Sequence, residues 1–481
     1  MIKNYFRTTL RSLWKNKGYS LLNIGGLAVG IACAALILLW VEDELTFNHY
    51  FSNRDNLYKI KDSQTYDGTT YTFDATPGPL AEGMKADIPG IRQTARTSWD
   101  DNRLFSLNDK IIYEPGIQVD EAFLTMFQLE FLEGNAKNAF TQLYSLVITK
   151  SMAEKFFGTT DVLGKTIKVD DKQEYSITGV VKDLPDNVSF RFHWLTSFKL
   201  FENQNDWLKY WGNNGILTYV ELEPGADVEA INKKLHNYID SKSKGSIAKM
   251  SVYPMNRWRM YDNFENGKEI AGRIKYVNLF SLIAWIILII ACINFMNLST
   301  ARSEQRAREV GVRKVMGAGK GKLIGQFIGE SVVMSMISAS IAILLIYIAI
   351  PSFNTIVEKQ LSVNIFQPSH LTGLMLIALI CGLIAGSYPA FYLSSFNPVN
   401  ILKGVRIQNS NSAGYIRKGL VVLQFSVSVI LIISTILIYQ QILHIKDRNL
   451  GYNRQDLLYM SMQGQMEQHF TAIRNELKAT G

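Results

Sequence analysis

The chain has 481 residues, of which 47% are hydrophobic, and carries a formal net charge of +8 at pH 7. This length is sufficient for several domains. Basic residues with interleaved aromatic residues on one face, which nucleic-acid binders need, do not occur, so the positive charge does not indicate nucleic-acid binding.

The first segment, residues 1–20, contains five Lys or Arg residues and no acidic residue. Its apolar side chains recur at helical spacing, with Leu10, Leu13 and Trp14 on one face and the basic residues around the rest. This pattern predicts a cytoplasmic interfacial helix that lies on the inner leaflet of a membrane. A solvated basic tail is the alternative interpretation.

Five uninterrupted apolar runs of 20 to 23 residues follow along the chain. At about 1.5 Å rise per residue, each run is long enough to cross a hydrocarbon core of roughly 30 Å. The runs therefore predict an α-helical membrane protein with five transmembrane helices. These predicted spans, TM1 to TM5, cover residues 21–41, 277–298, 331–350, 371–393 and 420–439.

The longest segment between spans, residues 42–276, predicts a large extracytoplasmic α+β domain. Its early part and the part after Phe190 are candidates for separate lobes. Short runs rich in β-branched and aromatic residues predict strands, and apolar residues at helical spacing predict helices. The predicted strands are 57–60, 145–149, 166–169, 175–181 and 217–222, and the predicted helices are 79–86, 151–157 and 228–239.

The connectors between the later spans are basic on one side of the membrane only. Residues 299–325 contain seven Lys or Arg residues, and 394–419 contain four without any acidic residue. Because cytoplasmic loops are enriched in Lys and Arg, these connectors and the N-terminus are predicted to be cytoplasmic. The domain at 42–276 and a short loop at 351–370 are then external.

The connector at 299–330 has a further pattern. It can continue as a helix out of TM2 and then bend at Gly317–Gly319, since glycine tolerates backbone torsions that other residues resist. Glu330 lies at the entrance of the next span, where we expect it to pair with a basic side chain of the connector. A bent, basic connector of this kind is a candidate surface for a cytoplasmic partner.

The last segment, residues 440–481, repeats an earlier pattern. The sequence Asn453–Leu457 resembles Asn53–Leu57, and each follows an apolar span. The sequence therefore predicts a second copy of the first half, beginning near residue 415 with TM5, and a second external domain that the chain enters but does not complete.

The patterns of catalytic, nucleotide or metal sites are missing. The segment Gly158–Thr166 resembles a phosphate-binding loop, but five residues instead of four separate its glycines, and it follows a helix. The six histidines are scattered, and the three cysteines all lie in apolar spans. We therefore predict no catalytic residue, no metal site and no cofactor.

Several short motifs together resemble one family, the MacB/FtsX-type (type VII, mechanotransmitting) ABC transporter permeases. The resemblance covers nearly the whole chain. The motifs are Arg308–Lys314, Gly317-Ala318, Gln326-Phe327 and Glu330-Ser331 in the connector, Gly386–Ala390 and Asn397-Pro398 around the end of TM4, and Phe156–Gly158, Leu163–Thr166 and Gly179–Pro185 in the external domain.

The resemblance implies that the external domain is a MacB-type periplasmic core and that the chain is a permease subunit in the bacterial inner membrane. It implies a separate cytoplasmic ATP-binding cassette ATPase, whose motion the chain transmits outward for efflux or for lipoprotein or peptide handling. A periplasmic adaptor or substrate is a further partner. The alternative is an FtsX-like signalling or cell-division scaffold that moves no cargo. The residues expected to couple to the ATPase are Arg306, Arg308, Glu309, Gly311, Arg313, Lys314, Gly317, Ala318 and Glu330.

Overall fold

The computed structural model describes residues 17–363, 368–394, 411–448, 466 and 469–480, with the backbone alone at 302–309, 369, 411–414, 416 and 417. The chain divides into two compact units. The membrane unit is Met1–Asp43 with Tyr276–Leu457, and the external unit is Glu44–Lys275 with Leu458–Gly481. Most of the predicted interfacial helix, residues 1–16, lies outside the described residues, as does the repeated motif at 453–457.

The α-helices include five long ones and seven short ones in the part of the chain that the structure describes. They are α1 (Lys17–Leu45), α2 (Leu80–Asp87), α3 (Glu121–Met126), α4 (Lys150–Phe157), α5 (Phe198–Gln204), α6 (Val228–Leu235), α7 (Tyr238–Lys242), α8 (Ile274–Val315), α9 (Lys320–Val357), α10 (Pro368–Ser394), α11 (Asn411–Asp447) and α12 (Phe470–Ala479).

In the part of the chain that the structure describes, five helices are long and apolar enough to cross a membrane, which confirms the predicted number. The candidate spans lie in α1, α8, α9, α10 and α11, and each encloses the corresponding predicted run. The helices extend beyond those runs. In particular, α9 continues to Val357, so the first part of the predicted loop at 351–370 is helical.

Small residues allow the membrane helices to pack closely. A Cβ atom on Gly30 of α1 would lie 2.5 Å from the Cβ atom of Ala291 in α8. A Cβ atom on Gly386 of α10 would lie 2.7 Å from the Cβ atom of Ser331 in α9. Such close backbone approach supplies the van der Waals contact that holds helices together in lipid. In α11, by contrast, none of the side chains that the structure describes is buried.

The external unit is built on one large, mostly antiparallel sheet. Its main path has the order β11-β8-β10-β9-β5-β6-β4-β12-β1-β13, and β2, β3 and β7 pair with β1, β12 and β10. The strands are β1 (Leu57–Tyr66), β2 (Thr69–Phe73), β3 (Thr76–Pro77), β4 (Ile91–Thr97), β5 (Asp101–Leu107), β6 (Lys110–Val119), β7 (Phe131–Gly134), β8 (Ser145–Thr149), β9 (Thr166–Val169), β10 (Gln173–Val181), β11 (Trp194–Ser197), β12 (Asn214–Leu222), β13 (Lys249–Pro254) and the separate pair β14 (Phe264–Glu265) and β15 (Lys268–Glu269).

This sheet forms two lobes. In the barrel lobe, residues 101–197, β11 pairs with both β8 and β6, so the strands β6-β11-β8-β10-β9-β5 close on themselves around Phe105 and Trp194. In the α/β lobe, residues 57–97 and 214–254, α2 and α6 cover β4-β12-β1-β13. The expected division near Phe190 is wrong, because strands from both ends of the domain pair with each other in the α/β lobe.

The predicted strands and short helices of the external domain are confirmed, with one correction. The helix predicted over 228–239 is interrupted between α6 and α7, where Asn237 has φ −110° and ψ 18°. The apolar residues nevertheless stay on one side, since Ile231, Leu235 and Tyr238 all contribute to the core of the α/β lobe. The burial pattern was therefore predicted correctly although the helix was not continuous.

Candidate functional site

The connector between TM2 and TM3 is a sharp turn between two helix ends, here named the elbow (residues 310–331). Helix α8 ends when Gly317 adopts a left-handed conformation with φ 91°. The N–H of Ala318 donates to the carbonyl of Arg313, and the N–H of Gly317 donates to the carbonyl of Lys314, each over 3.0 Å. This pair of bonds is a Schellman motif, which favours glycine at the left-handed position. The predicted bend is therefore confirmed.

Apolar packing holds the elbow against the end of α10. Val310, Leu323 and Phe327 of the elbow form a buried cluster with Ala390 and Leu393 of α10. Ala318, one of the predicted coupling residues, packs against this cluster. Gly311, another of them, is buried and directly follows Val310 in the sequence. The two helix ends and the end of α10 therefore form a single packed body.

Polar contacts connect the same elements. Arg313 Nη1 donates to Gln326 Oε1 over 2.6 Å, and Gln326 Nε2 donates to Glu330 Oε1 over 3.2 Å. Lys314 Nζ donates to the backbone carbonyl of Ser394, at the end of α10, over 2.7 Å. The expected partnership of Glu330 with a basic residue thus includes a relay through Gln326, which joins α8 to α9.

The environment of Lys314 differs from that of a solvated surface lysine. Partial burial, and secondarily the nearby Lys320 ammonium group, hold the pKa of Lys314 below its usual value. Its hydrogen bond to Ser394 places the ammonium group at the C-terminus of α10, where the helix dipole favours a positive charge. Lys314 therefore caps a neighbouring helix as well as contributing positive charge to the elbow.

The elbow also exposes an apolar face that the sequence analysis missed. Val312, Val315 and Met316 are 45%, 63% and 75% exposed. Val312 and Val315 lie at the end of α8, and Met316 follows directly after it, so their spacing of three and four residues places them on one side of this helix end. Lys320 and Lys322 are exposed at the start of α9. Exposed apolar residues surrounded by charges are typical of protein interfaces. The apolar residues interleaved with the predicted basic residues were the signal that could have revealed this face.

The nine predicted coupling residues are only partly brought together. Gly311, Arg313, Lys314, Gly317, Ala318 and Glu330 all belong to the elbow. The backbone of 302–309 is helical, but the side chains of Arg306, Arg308 and Glu309 lie outside the described residues. Their predicted role stays a prediction. Ser394 and Leu393, which contact the elbow, were not among the predicted residues.

A second polar site, here named the clamp, lies in the external unit. The side chain of Glu44, in the last turn of α1, is fully buried. Its two carboxylate oxygens accept hydrogen bonds of 2.8 and 2.9 Å from Arg259, and two more of the same lengths from Arg273. The clamp therefore attaches the last turn of α1 to the segment that precedes α8.

The segment that resembles a phosphate-binding loop has a structural role. It joins α4 to β9 through left-handed glycines at Gly158 and Gly164, with φ of 73° and 76°. Lys165 Nζ donates to the carbonyl of Asp161 over 2.9 Å. Among the residues that the structure describes, no group of three or more His, Cys, Asp or Glu side chains could hold a metal ion.

Comparisons with known proteins agree with both units. The family model for the MacB-like periplasmic core domain matches residues 20–238, and that for the FtsX-like permease C-terminal domain matches residues 281–398. The chain is 23% identical over 337 residues to the ABC transporter permease YknZ of Bacillus subtilis, covering 67% of this chain and 76% of YknZ. The predicted fold class, a membrane protein with a MacB-type external core, is confirmed.

Longer relatives also match. The chain is 24% identical over 264 residues to the macrolide export ATP-binding/permease protein MacB of Bdellovibrio bacteriovorus, covering 53% of this chain and 38% of that protein. It therefore spans less than half the length of that relative. The periplasmic region of MacB from Actinobacillus actinomycetemcomitans aligns with 43% of this chain and 92% of that structure, at 13% identity and a TM-score of 0.33.

Proposed function

Because the chain is an ABC transporter permease of the MacB/FtsX type, we propose that it transmits ATP-driven motion from a separate cytoplasmic ATP-binding cassette ATPase to its extracytoplasmic domain. The proposed task of the complex is efflux or the handling of lipoproteins or peptides. The observation that carries the proposal is the elbow, which combines an exposed docking face with a tightly packed interior.

The exposed face supplies a surface for the ATPase. Val312, Val315 and Met316 offer a compact apolar patch, and Lys320 and Lys322 beside it can pair with acidic residues of a partner. Interfaces of this kind combine apolar anchors at the centre with a polar rim. We propose that the predicted coupling residues Arg306, Arg308 and Glu309 extend the same surface along α8.

The packed interior allows a push on the elbow to move several helices together. The left-handed Gly317, the relay from Arg313 through Gln326 to Glu330, and the bond from Lys314 to Ser394 join the ends of α8, α9 and α10. A body held by both apolar packing and hydrogen bonds moves as a unit instead of deforming. Displacement at the docking face would therefore reach three membrane helices.

The proposed location is the bacterial inner membrane, with the N-terminus, the elbow and residues 394–419 in the cytoplasm. The bias of Lys and Arg toward these segments supports this orientation. The external unit then faces a periplasmic adaptor or the substrate. In this arrangement ATP hydrolysis takes place on the partner, so the purified chain alone should show no ATP turnover.

The test is reconstitution of the chain with its partner ATPase in lipid nanodiscs. Val315→Glu and Met316→Glu place carboxylates in the apolar docking face, so we expect ATPase binding to weaken by tenfold or more, on the order of 1.4 kcal/mol. Ile111→Glu is the matched control, because Ile111 is similarly exposed but lies in the external unit. Binding of both elbow variants at the affinity of the parent chain would contradict the proposal.

A further inference from the structure

The external unit contains a polar cavity of about 550 Å³ between its two lobes. Such a volume is within the range of small-molecule sites, roughly 300–1,000 Å³. One wall is the sheet of the α/β lobe, with Lys59 and Tyr219. The rest of the lining includes Trp99 and Asp100, which follow β4, and Arg191, which precedes β11. The cavity is thus lined by residues of both lobes.

One group of four charged side chains at the cavity is electrically neutral. Lys59 Nζ lies 3.1 Å from Asp74 and 2.5 Å from Asp262, and Lys61 Nζ lies 2.6 Å from Asp74 and also contacts Asp262. These two lysines and two aspartates compensate one another, and the ring of Trp258 lies beneath Lys59 at 5.6 Å. This group therefore presents no surplus charge to a ligand.

Two further charges of opposite sign, those of Asp100 and Arg191, line the cavity. Asp100 and Arg191 are both exposed, and neither has a hydrogen bond or ion pair with any residue that the structure describes. Trp99 stands beside Asp100 with half of its surface exposed, and its indole N–H donates to the carbonyl of Gly215 over 2.9 Å, which fixes the ring. An open aromatic surface therefore lies next to Asp100, in a lining that also includes Arg191.

We propose that this cavity binds a small zwitterionic ligand with an apolar body, of which a short peptide with free termini is the simplest example. Its ammonium group would pair with Asp100, its carboxylate with Arg191, and its apolar body would cover Trp99. A ligand with charge of one sign leaves one of these residues unmatched, and a neutral ligand leaves both. The assignment rests on the proposed function, since it names the substrate class of the same permease.

The cavity is joined to the clamp. Arg259, which lines the cavity, lies over the ring of Phe47 at 4.4 Å and donates two hydrogen bonds to Glu44. Phe47 lies two residues after the end of α1 and also lines the cavity. A change in the width of the cavity therefore acts on residues that hold the last turn of α1.

The test measures binding of the tripeptide Ala-Phe-Ala to the full chain in nanodiscs, without ATPase, by calorimetry. The comparison ligand is the same peptide with an acetylated amine and an amidated carboxylate. We expect saturable binding of the free peptide, and a loss on the order of tenfold on blocking both ends or in Arg191→Gln or Asp100→Asn. Lys165→Gln and Asp161→Asn, exposed in the barrel lobe, should bind as the parent chain does.

Any one of three results overturns the proposal: equal affinity for the free and blocked peptides, unchanged affinity in both the Asp100 and the Arg191 variants, or no saturable binding. Since Asp100 and Arg191 are exposed, their substitution should leave the fold intact, and an unchanged melting temperature checks this. If peptide binding fails this test while Val315→Glu still weakens ATPase binding, only the assignment of the cavity is wrong. If Val315→Glu does not weaken ATPase binding, the proposed function is wrong, whatever the result with the peptide.

Discussion

The carboxylate of Glu44 and the guanidinium group of Arg273 form two parallel hydrogen bonds, of 2.8 and 2.9 Å, at the end of α1. Arg259 binds the same carboxylate in the same manner. A carboxylate this deeply buried is stable only when positive charge and donors surround it. The clamp is therefore a place where single substitutions should have large effects.

Glu44→Ala should lower the free energy of unfolding of the external unit by about 2–4 kcal/mol, because two arginines lose a buried partner. The measurement is the denaturant-induced unfolding of the full chain in detergent micelles. Glu130→Ala is the control. Both side chains of the Glu130–Lys182 ion pair are exposed, so this pair should contribute less than about 1 kcal/mol. Equal losses in the two variants would show that the clamp has no special importance.

Gly317→Val should disrupt the elbow, because a β-branched residue at φ 91° costs about 1–2 kcal/mol or more. We expect loss of ATPase stimulation in the reconstituted complex, with normal insertion into the membrane. Gly321→Val is the control: it places the same side chain in open space within α9, where the backbone is helical. A Gly317 variant that stimulates as well as the Gly321 variant would show that the left-handed turn is dispensable.

Asp62 should make the external unit less stable as pH rises. Burial raises the pKa of Asp62 to about 6, against an ordinary value of 3.8. The folded state therefore holds the proton more tightly than the unfolded state, so this stabilisation is complete below about pH 4 and is lost as pH rises toward about 6.

Asp62→Asn should remove this dependence. Near pH 8 the variant should be more stable than the parent chain by about 2–3 kcal/mol, and the difference should vanish near pH 4. Gln64 and Asn214 donate to one carboxylate oxygen, and an asparagine carbonyl can accept the same bonds. Unfolding curves at three pH values decide the matter, and a stability difference that is independent of pH would contradict the assignment.

The orientation in the membrane can be tested with single cysteines in a chain whose three natural cysteines are replaced. Asn108, exposed in the turn between β5 and β6, should react with an impermeant maleimide added outside the cell. Gly319, exposed in the elbow, should react only after the membrane is opened. The reverse pattern would place the elbow outside and exclude a cytoplasmic ATPase as its partner.

Sequence patterns predicted what depends on local chemistry. The apolar spans, the strand over 145–149 and the bend at Gly317 each follow from residues adjacent in the chain. The clamp could not be predicted, because Glu44 and Arg273 are separated by 229 residues and no pattern indicates that they meet. The division into two lobes could not be predicted for the same reason. Strand β1 (57–66) pairs with β12 (214–222), which lies far from it in the sequence.

The elbow shows both outcomes within a few residues. Gly317 and the basic residues were recognised because glycine and charge have direct conformational and topological meaning. The contact of Lys314 with Ser394, and the exposure of Val315 and Met316, depend on which side of α8 faces α10. That orientation is set by tertiary packing, which a sequence pattern covering one helix does not contain.

The chain leaves the α/β lobe at the end of β4, forms the closed ring of strands of the barrel lobe, and returns to the α/β lobe in β12, the strand that pairs with β4. Thr97, where β4 ends, is the direct partner of Leu217 in β12. Everything between them behaves topologically as one very long hairpin loop. Over evolutionary time such a lobe can be enlarged, trimmed or exchanged without a change of register in the sheet that carries it. Variety of external form among permeases of this type can therefore arise at this junction while the α/β lobe stays the same.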